Sequence, residues 1–189
     1  MTCIVGVVDD EGIIMAADSN GVSAGYNVTP RADRKVFVVQ TTIRQPMLVG
    51  FTSSYRMGQL LKWWNPPAAR GDLERYMQTT FIDGVRRLLR ENGYMKVTDN
   101  REEGGTFMVG YHRRLYVVHS DFQVAVPALP YAAVGSGEEY ALGSLYTSDD
   151  GVLSTEARAR IAVEAASAFN TSVGGDVDVL RLGVVKSKS

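Results

Sequence analysis

Cysteine and histidine are nearly absent from this chain of 189 residues, which holds one of the first and two of the second. A single thiol, Cys3, can close no disulfide within the chain, and such usage fits a reducing compartment. His112 and His119 stand apart from any acid-flanked or cysteine-rich pattern, so the sequence suggests neither a Ser-His-Asp triad nor a metal cage. Excess charge is lacking as well. The 20 basic and 21 acidic side chains leave a formal charge of −1, without the basic surplus that would favour nucleic acid or an anionic membrane as partner. No apolar run approaches the ~20 residues that span a bilayer, and the start shows no basic segment leading into an apolar one. The expectation is a soluble cytoplasmic protein without cofactor or metal, folded as one domain over residues 1–189.

The most informative stretch is residues 1–21. Thr2 stands behind Met1 at the mouth of an apolar run, and Asp18 is a lone carboxylate at the end of a second one. Aminopeptidases remove an initiator Met that precedes a small residue. Thr2 would then carry a hydroxyl and a free α-amine together, a nucleophile and a base in one residue. An α-amine has an ordinary pKa of about 7.7–8.0, and a neighbouring cation lowers it by disfavouring the charged form. Such an amine can take the hydroxyl proton during attack.

Hydrophobic patterning supplies the framework. Residues 3–8 and 13–17 are apolar on both faces and predict strands covered on both sides, turned at Asp9-Asp10-Glu11-Gly12. A Gly/Ser/Asn-rich excursion leads to a strand starting at Lys35 and another at 47–51, and two hairpins in succession predict an antiparallel sheet. Ser53 or Ser54 caps a first helix, stopped by Asn65-Pro66-Pro67. Asp72 caps a second, long helix with an apolar stripe of Leu73, Met77, Phe81, Val85 and Leu88, ended by Gly93. Its Arg86, Arg87 and Arg90 are expected only to form a solvated face beside the helix C-terminus. A hairpin turning at His112-Arg113 follows, then a strand running through Gly135-Ser136-Gly137 into a helix at Glu138. Ser154 caps a last helix with a packing face of Ala157, Ile161, Ala165 and Ala168, and residues 178–182 form the final strand. This order gives an α+β fold with helices segregated outside the strands.

Several of these residues recur in one register. Thr2 behind the initiator, Ala17-Asp18-Ser19, Arg34-Lys35-Val36, Gly50-Phe51-Thr52, Gly135-Ser136-Gly137 with Tyr140-Ala141, and Gly174-Gly175 together resemble the proteasome β-subunit family, nearest to HslV and similar short bacterial or phage versions. The resemblance implies an N-terminal-nucleophile (Ntn) hydrolase with a four-layer αββα sandwich of two stacked, mainly antiparallel sheets. It implies Thr2 as nucleophile, Lys35 as the cation beside it, Asp18 as the partner of Lys35, Ser136 as a hydrogen-bonding support and the Ser53 backbone N–H as oxyanion donor. The chemistry is consistent, because a buried lysine needs a carboxylate partner and a helix N-terminus offers free N–H groups. The family often has Gly at the Ser53 position, so this chain adds a side chain near the cleft.

The chain departs from the family where β-subunits typically have an aspartate and, three residues later, a serine. Here stand Asn170, taken as a supporting residue, and Val173, with Thr171 or Ser172 available to replace the missing hydroxyl. Gly21, Val22, Phe51, Thr52 and Tyr55 are expected to line the substrate site. The implied activity is a threonine-type peptide hydrolase acting on peptides or unfolded protein, in a self-assembled homo-oligomeric ring fed by an ATP-dependent unfoldase. The alternatives are an inactive proteasome-like scaffold, motivated by Asn170 and Val173, and an Ntn amidase for small amides.

Overall fold

The computed structural model describes residues 2–23 and 27–183; Met1, whose removal the sequence reading invokes, lies outside them. The chain opens with β1 (Cys3–Asp9) and β2 (Gly12–Asp18). The Asp9 carboxylate fastens their turn, accepting from the N–H groups of Glu11 and Gly12 at 2.9 Å each. Within the excursion after Asp18 lie two paired strands, β3 (Asn20–Ser23) and β4 (Asn27–Pro30). The hairpin of β5 (Val36–Gln40) and β6 (Pro46–Phe51) follows, with Lys35 one residue before its first strand rather than in it.

Ser54, not Ser53, caps α1 (Tyr55–Lys62), its hydroxyl accepting from the Arg56 N–H at 3.1 Å. Asp72 caps α2 (Leu73–Tyr76). The long helix expected from there is interrupted by a π-helical turn, Met77–Phe81, before α3 (Ile82–Glu91). Its apolar positions recur every four residues, a spacing that drifts by about 0.4 residue per turn on an α-helix. The wider turn takes up that drift and brings Leu89, rather than Leu88, fully into the core. Arg86 and Arg90 do more than form a solvated face. Both donate through Nε to Glu102, at 2.9 and 3.0 Å, and so tie the small hairpin of β7 (Lys96–Thr98) and β8 (Arg101–Glu103) to α3.

Next come β9 (Phe107–Tyr111) and β10 (Arg114–Val118), with His112 and Arg113 at φ of 47° and 60°, the left-handed pair that a two-residue hairpin turn requires. The chain finishes with β11 (Val124–Ala125), β12 (Tyr131–Gly135), α4 (Glu138–Thr147), α5 (Thr155–Phe169) and β13 (Val177–Gly183).

Two antiparallel sheets result, ordered β12-β1-β2-β13 and β11-β10-β9-β6-β5, so the two early hairpins belong to different sheets. The sheets meet through Ile4, Ile13, Met15, Ala17, Leu48, Met108 and Val134. Alternation then sends Cys3, Val5, Val7, Ile14 and Ala16 to the other side of the first sheet, against Ala141 and Leu145 of α4 and Ala159, Ala162, Val163 and Ala166 of α5. The face of α5 that packs is therefore Ala159, Ala162, Val163 and Ala166, not the expected Ala157, Ile161, Ala165 and Ala168. The helix carries small residues on both stripes, so periodicity does not choose between them. Phe37, Val49, Phe51, Phe107, Val109 and Tyr116 cover the outer face of the second sheet beneath α1 to α3. The α+β class with segregated helices is as expected. No helix among the described residues is long and apolar enough to cross a membrane.

Candidate active site

Four chain segments converge at one end of the first sheet, and a buried ion pair joins them. The register of β1 and β2 ends with Ile4 opposite Ala17. One step further the Asp18 side chain takes over, its Oδ1 accepting from the Cys3 N–H at 3.0 Å. The same oxygen accepts from Lys35 Nζ at 2.9 Å, and Oδ2 accepts from the Gly174 N–H at 3.3 Å. Lys35 donates a second bond to the Asn20 carbonyl at 2.7 Å. Both charged side chains are only 1% exposed. Burial pushes the Lys35 ammonium's pKa down, against the opposing pull of Asp18. Two charges taken from water at this depth are tolerated because each is hydrogen-bonded by its partner and by backbone.

Thr2 stands one residue before β1 and is 5% exposed. Its nitrogen donates to Ser136 Oγ at 3.3 Å, and its carbonyl accepts from the Gly137 N–H at 3.4 Å. Ser136 is held in turn by Asn170, whose Nδ2 donates to the Ser136 carbonyl at 2.6 Å while its Oδ1 accepts from the Ser172 N–H at 2.9 Å. Asn170 thus bridges the end of α5 to the strand exit beside Thr2, without needing a charge. Ser172 is buried, Thr171 is exposed, and Val173 packs into the helix-facing core.

The opposite wall is the exit of β6. Thr52 Oγ1 donates to the Thr106 carbonyl at 2.8 Å, and Ser53 Oγ accepts from the Thr106 N–H at 3.1 Å. Ser53 has φ of 63°, in the left-handed region that glycine adopts most easily. Its side-chain bond to Thr106 fixes that geometry here. Among the described residues its N–H has no acceptor.

Thr2, Thr52, Ser53 and Ser136 line a common cleft of about 630 Å³, which extends past Gly135 to Val126, Glu138 and His119. Cys3 is not a competing nucleophile: it is fully buried, and burial followed by Asp18 pushes its thiol up to about 12.

Of the residues expected to contact substrate, Thr52 alone lines this cleft. Phe51 and Tyr55 are parts of the apolar cluster under α1, packed edge to face with ring centroids 5.4 Å apart. Phe51 sits there because β6 alternates, sending its side chain away from the partner sheet. Tyr55 is roofed by Arg31, whose guanidinium lies 3.8 Å from its ring centre. Gly21 and Val22 lie half-buried on β3, outside the cleft walls. The Cys3 N–H, the Asn20 carbonyl and the Gly174 N–H are not legible in the sequence, because a backbone group leaves no mark in residue type. The Gly174-Gly175 pair was the one available signal.

No protein-family model and no curated protein matches this sequence. Solved structures do match. The fold is that of proteasome-like proteins, over nearly the whole chain. Thiobacillus denitrificans BPH in complex with epoxomicin is 22% identical, with 96% of this chain and 98% of that one covered and a TM-score of 0.78. Eukaryotic HslV from Trypanosoma brucei is 18% identical over 95% and 99%, with a TM-score of 0.66. The helical assembly of the Anbu complex from Pseudomonas aeruginosa is 17% identical over 96% and 81%, with a TM-score of 0.68.

Proposed function

We propose that the chain is a single-domain Ntn hydrolase of the proteasome-like family, a threonine-type peptide hydrolase built as a four-layer αββα sandwich. One observation carries this reading. The ion pair of Lys35 and Asp18 is buried against the backbone of the residue next to Thr2, and Thr2 shares one cleft with Ser53, whose N–H has no acceptor among the described residues. A pair so costly to bury is commonly retained for chemistry rather than for stability.

In this mechanism, removal of Met1 frees the Thr2 amine, and the Lys35 cation keeps it unprotonated near neutral pH. The amine accepts the hydroxyl proton as Oγ attacks the substrate carbonyl. The Ser53 N–H receives the developing oxyanion, a contribution worth about 10²–10³ in rate for one such donor. The proton passes to the departing nitrogen, and water then hydrolyses the ester. Asp18 holds Lys35, and Ser136 holds the Thr2 nitrogen. Asn170 is a positioning residue acting through Ser136.

The helical assembly of Anbu supports a homo-oligomer, and exposed aromatic residues on α4 and α5, Tyr146 and Phe169 among them, supply apolar surface for contacts between copies. An ATP-dependent unfoldase delivering unfolded protein belongs to the same reading.

Fluorogenic peptides test it. Hydrolysis with an initial burst of one product per site, abolished by Thr2→Ala, is expected; turnover that survives Thr2→Ala would refute the assignment. Asn170→Ala removes two hydrogen bonds at the surface, so unfolding free energy should fall by only about 1 kcal/mol. The rate constant for acylation should fall about tenfold while the dissociation constant of the substrate stays within about twofold. Asn170→Asp, which keeps the acceptor for the Ser172 N–H, should lose less.

A further inference from the structure

The position of the Thr2 nitrogen decides where the leaving fragment must go. Collapse of the tetrahedral intermediate breaks the carbon–nitrogen bond and requires on the departing nitrogen the proton taken from Oγ. The Thr2 amine delivers that proton, and it lies 3.3 Å from Ser136 Oγ. The departing nitrogen therefore leaves on the Ser136 side.

On the Ser136 side the cleft is open. Val117, Ala125, Val126, Val134 and Leu142 make an apolar wall, and β11, a two-residue strand at the sheet edge, forms its rim. Glu138 is the one acidic residue among those lining it, two positions after Ser136 at the start of α4, and His119 stands at the far end.

We propose that this cleft, from Ser136 to β11 and His119, is the subsite for the leaving fragment. It takes an apolar first residue, whose newly formed amino terminus is held by Glu138. The proposal rests on the hydrolase reading above and names the part of the substrate that its cleft selects. The amine that the reaction releases becomes an ammonium in water, a charge Glu138 complements, while the apolar wall removes the side chain from water.

Leucinamide is the probe, because it carries a free ammonium and one apolar side chain. With histidine ring carbons labelled, the chain gives two signals, from His112 in its hairpin turn and His119 in the cleft. Titration of the wild-type protein and of Thr2→Ala with leucinamide should move the His119 signal and leave His112 unmoved. Glycinamide should bind about tenfold more weakly, as expected for losing one buried leucine side chain. N-acetyl-leucinamide should also bind more weakly, and Glu138→Gln should erase that difference. Ala125→Phe, on the half-buried edge strand, should abolish the response by filling the cleft. Equal affinity for leucinamide and glycinamide, or a response that survives Ala125→Phe, would overturn the proposal. The two readings fail separately: hydrolysis without leucinamide preference removes the subsite and keeps the enzyme, whereas leucinamide binding without hydrolysis keeps the cleft as a binding site and removes the enzyme.

Discussion

Lys35→Met is expected to lower unfolding free energy by about 3–5 kcal/mol, the usual consequence of stranding one buried charge, and to cut labelling of Thr2 by at least about a hundredfold. The stability loss follows from what remains. Asp18 keeps two backbone donors, the Cys3 and Gly174 N–H groups, but loses the ammonium that balances its charge at 1% exposure. The reactivity loss follows from removing the cation that holds the Thr2 amine unprotonated. A double variant, Asp18→Asn with Lys35→Met, separates the two. It removes both charges and leaves an amide that accepts from the Cys3 N–H, so most of the stability should return in urea titrations while labelling stays low. Recovery of labelling in the double variant would mean that the pair is structural only.

Gly135→Ala is the second large effect. Gly135 has φ of 105°, and a Cβ there would run into the Thr2 carbonyl. Left-handed strain and the collision each cost on the order of 1–3 kcal/mol, so a loss of about 4 kcal/mol is expected. The damage is local to the site, because Gly135 pairs with Cys3 in the strand register that presents Thr2. Gly143→Ala is the control. It lies within α4, a Cβ there meets nothing within 4 Å, and the substitution should stabilise by about 0.5–1 kcal/mol. Thermal unfolding of both variants measures the contrast; equal midpoints would show that the backbone at Gly135 is not as tightly set against Thr2 as described.

Much of this arrangement was legible in the sequence because apolar strands and helix caps are local signals. Residues 3–8 and 13–17, without polar alternation, announced strands covered on both sides, and Asp72 and Ser154 marked helix starts. The Asp18 and Lys35 pairing was legible only through the resemblance to proteasome β-subunits, since each residue alone fits a surface lysine and a turn aspartate equally well. What was not legible depends on direction or on backbone. Phe51 follows Gly50 at a strand exit, yet its position in the alternation decides that it faces α1 and not the cleft. In α5 small residues lie all around, so no stripe identifies the packing side. The π-helical turn at Met77–Phe81 reflects a four-residue apolar spacing that looks like an ordinary helix to the eye. His119 reaches the Thr2 cleft only through the pairing of distant strands, and its neighbourhood in sequence does not suggest it, whereas Glu138 follows Ser136 by two positions and was legible from that.

The mechanism stands or falls on Thr2 being a primed nucleophile once freed of Met1. Intact mass of the purified protein before and after incubation with epoxomicin, the molecule held by the Thiobacillus denitrificans BPH structure, tests it most directly. The expected result is a starting mass lacking Met1, one adduct per chain after incubation, and no adduct in Thr2→Ala. A chain that keeps Met1, or one that exposes Thr2 and stays unlabelled, would contradict it and leave the fold serving a scaffold instead of a hydrolase.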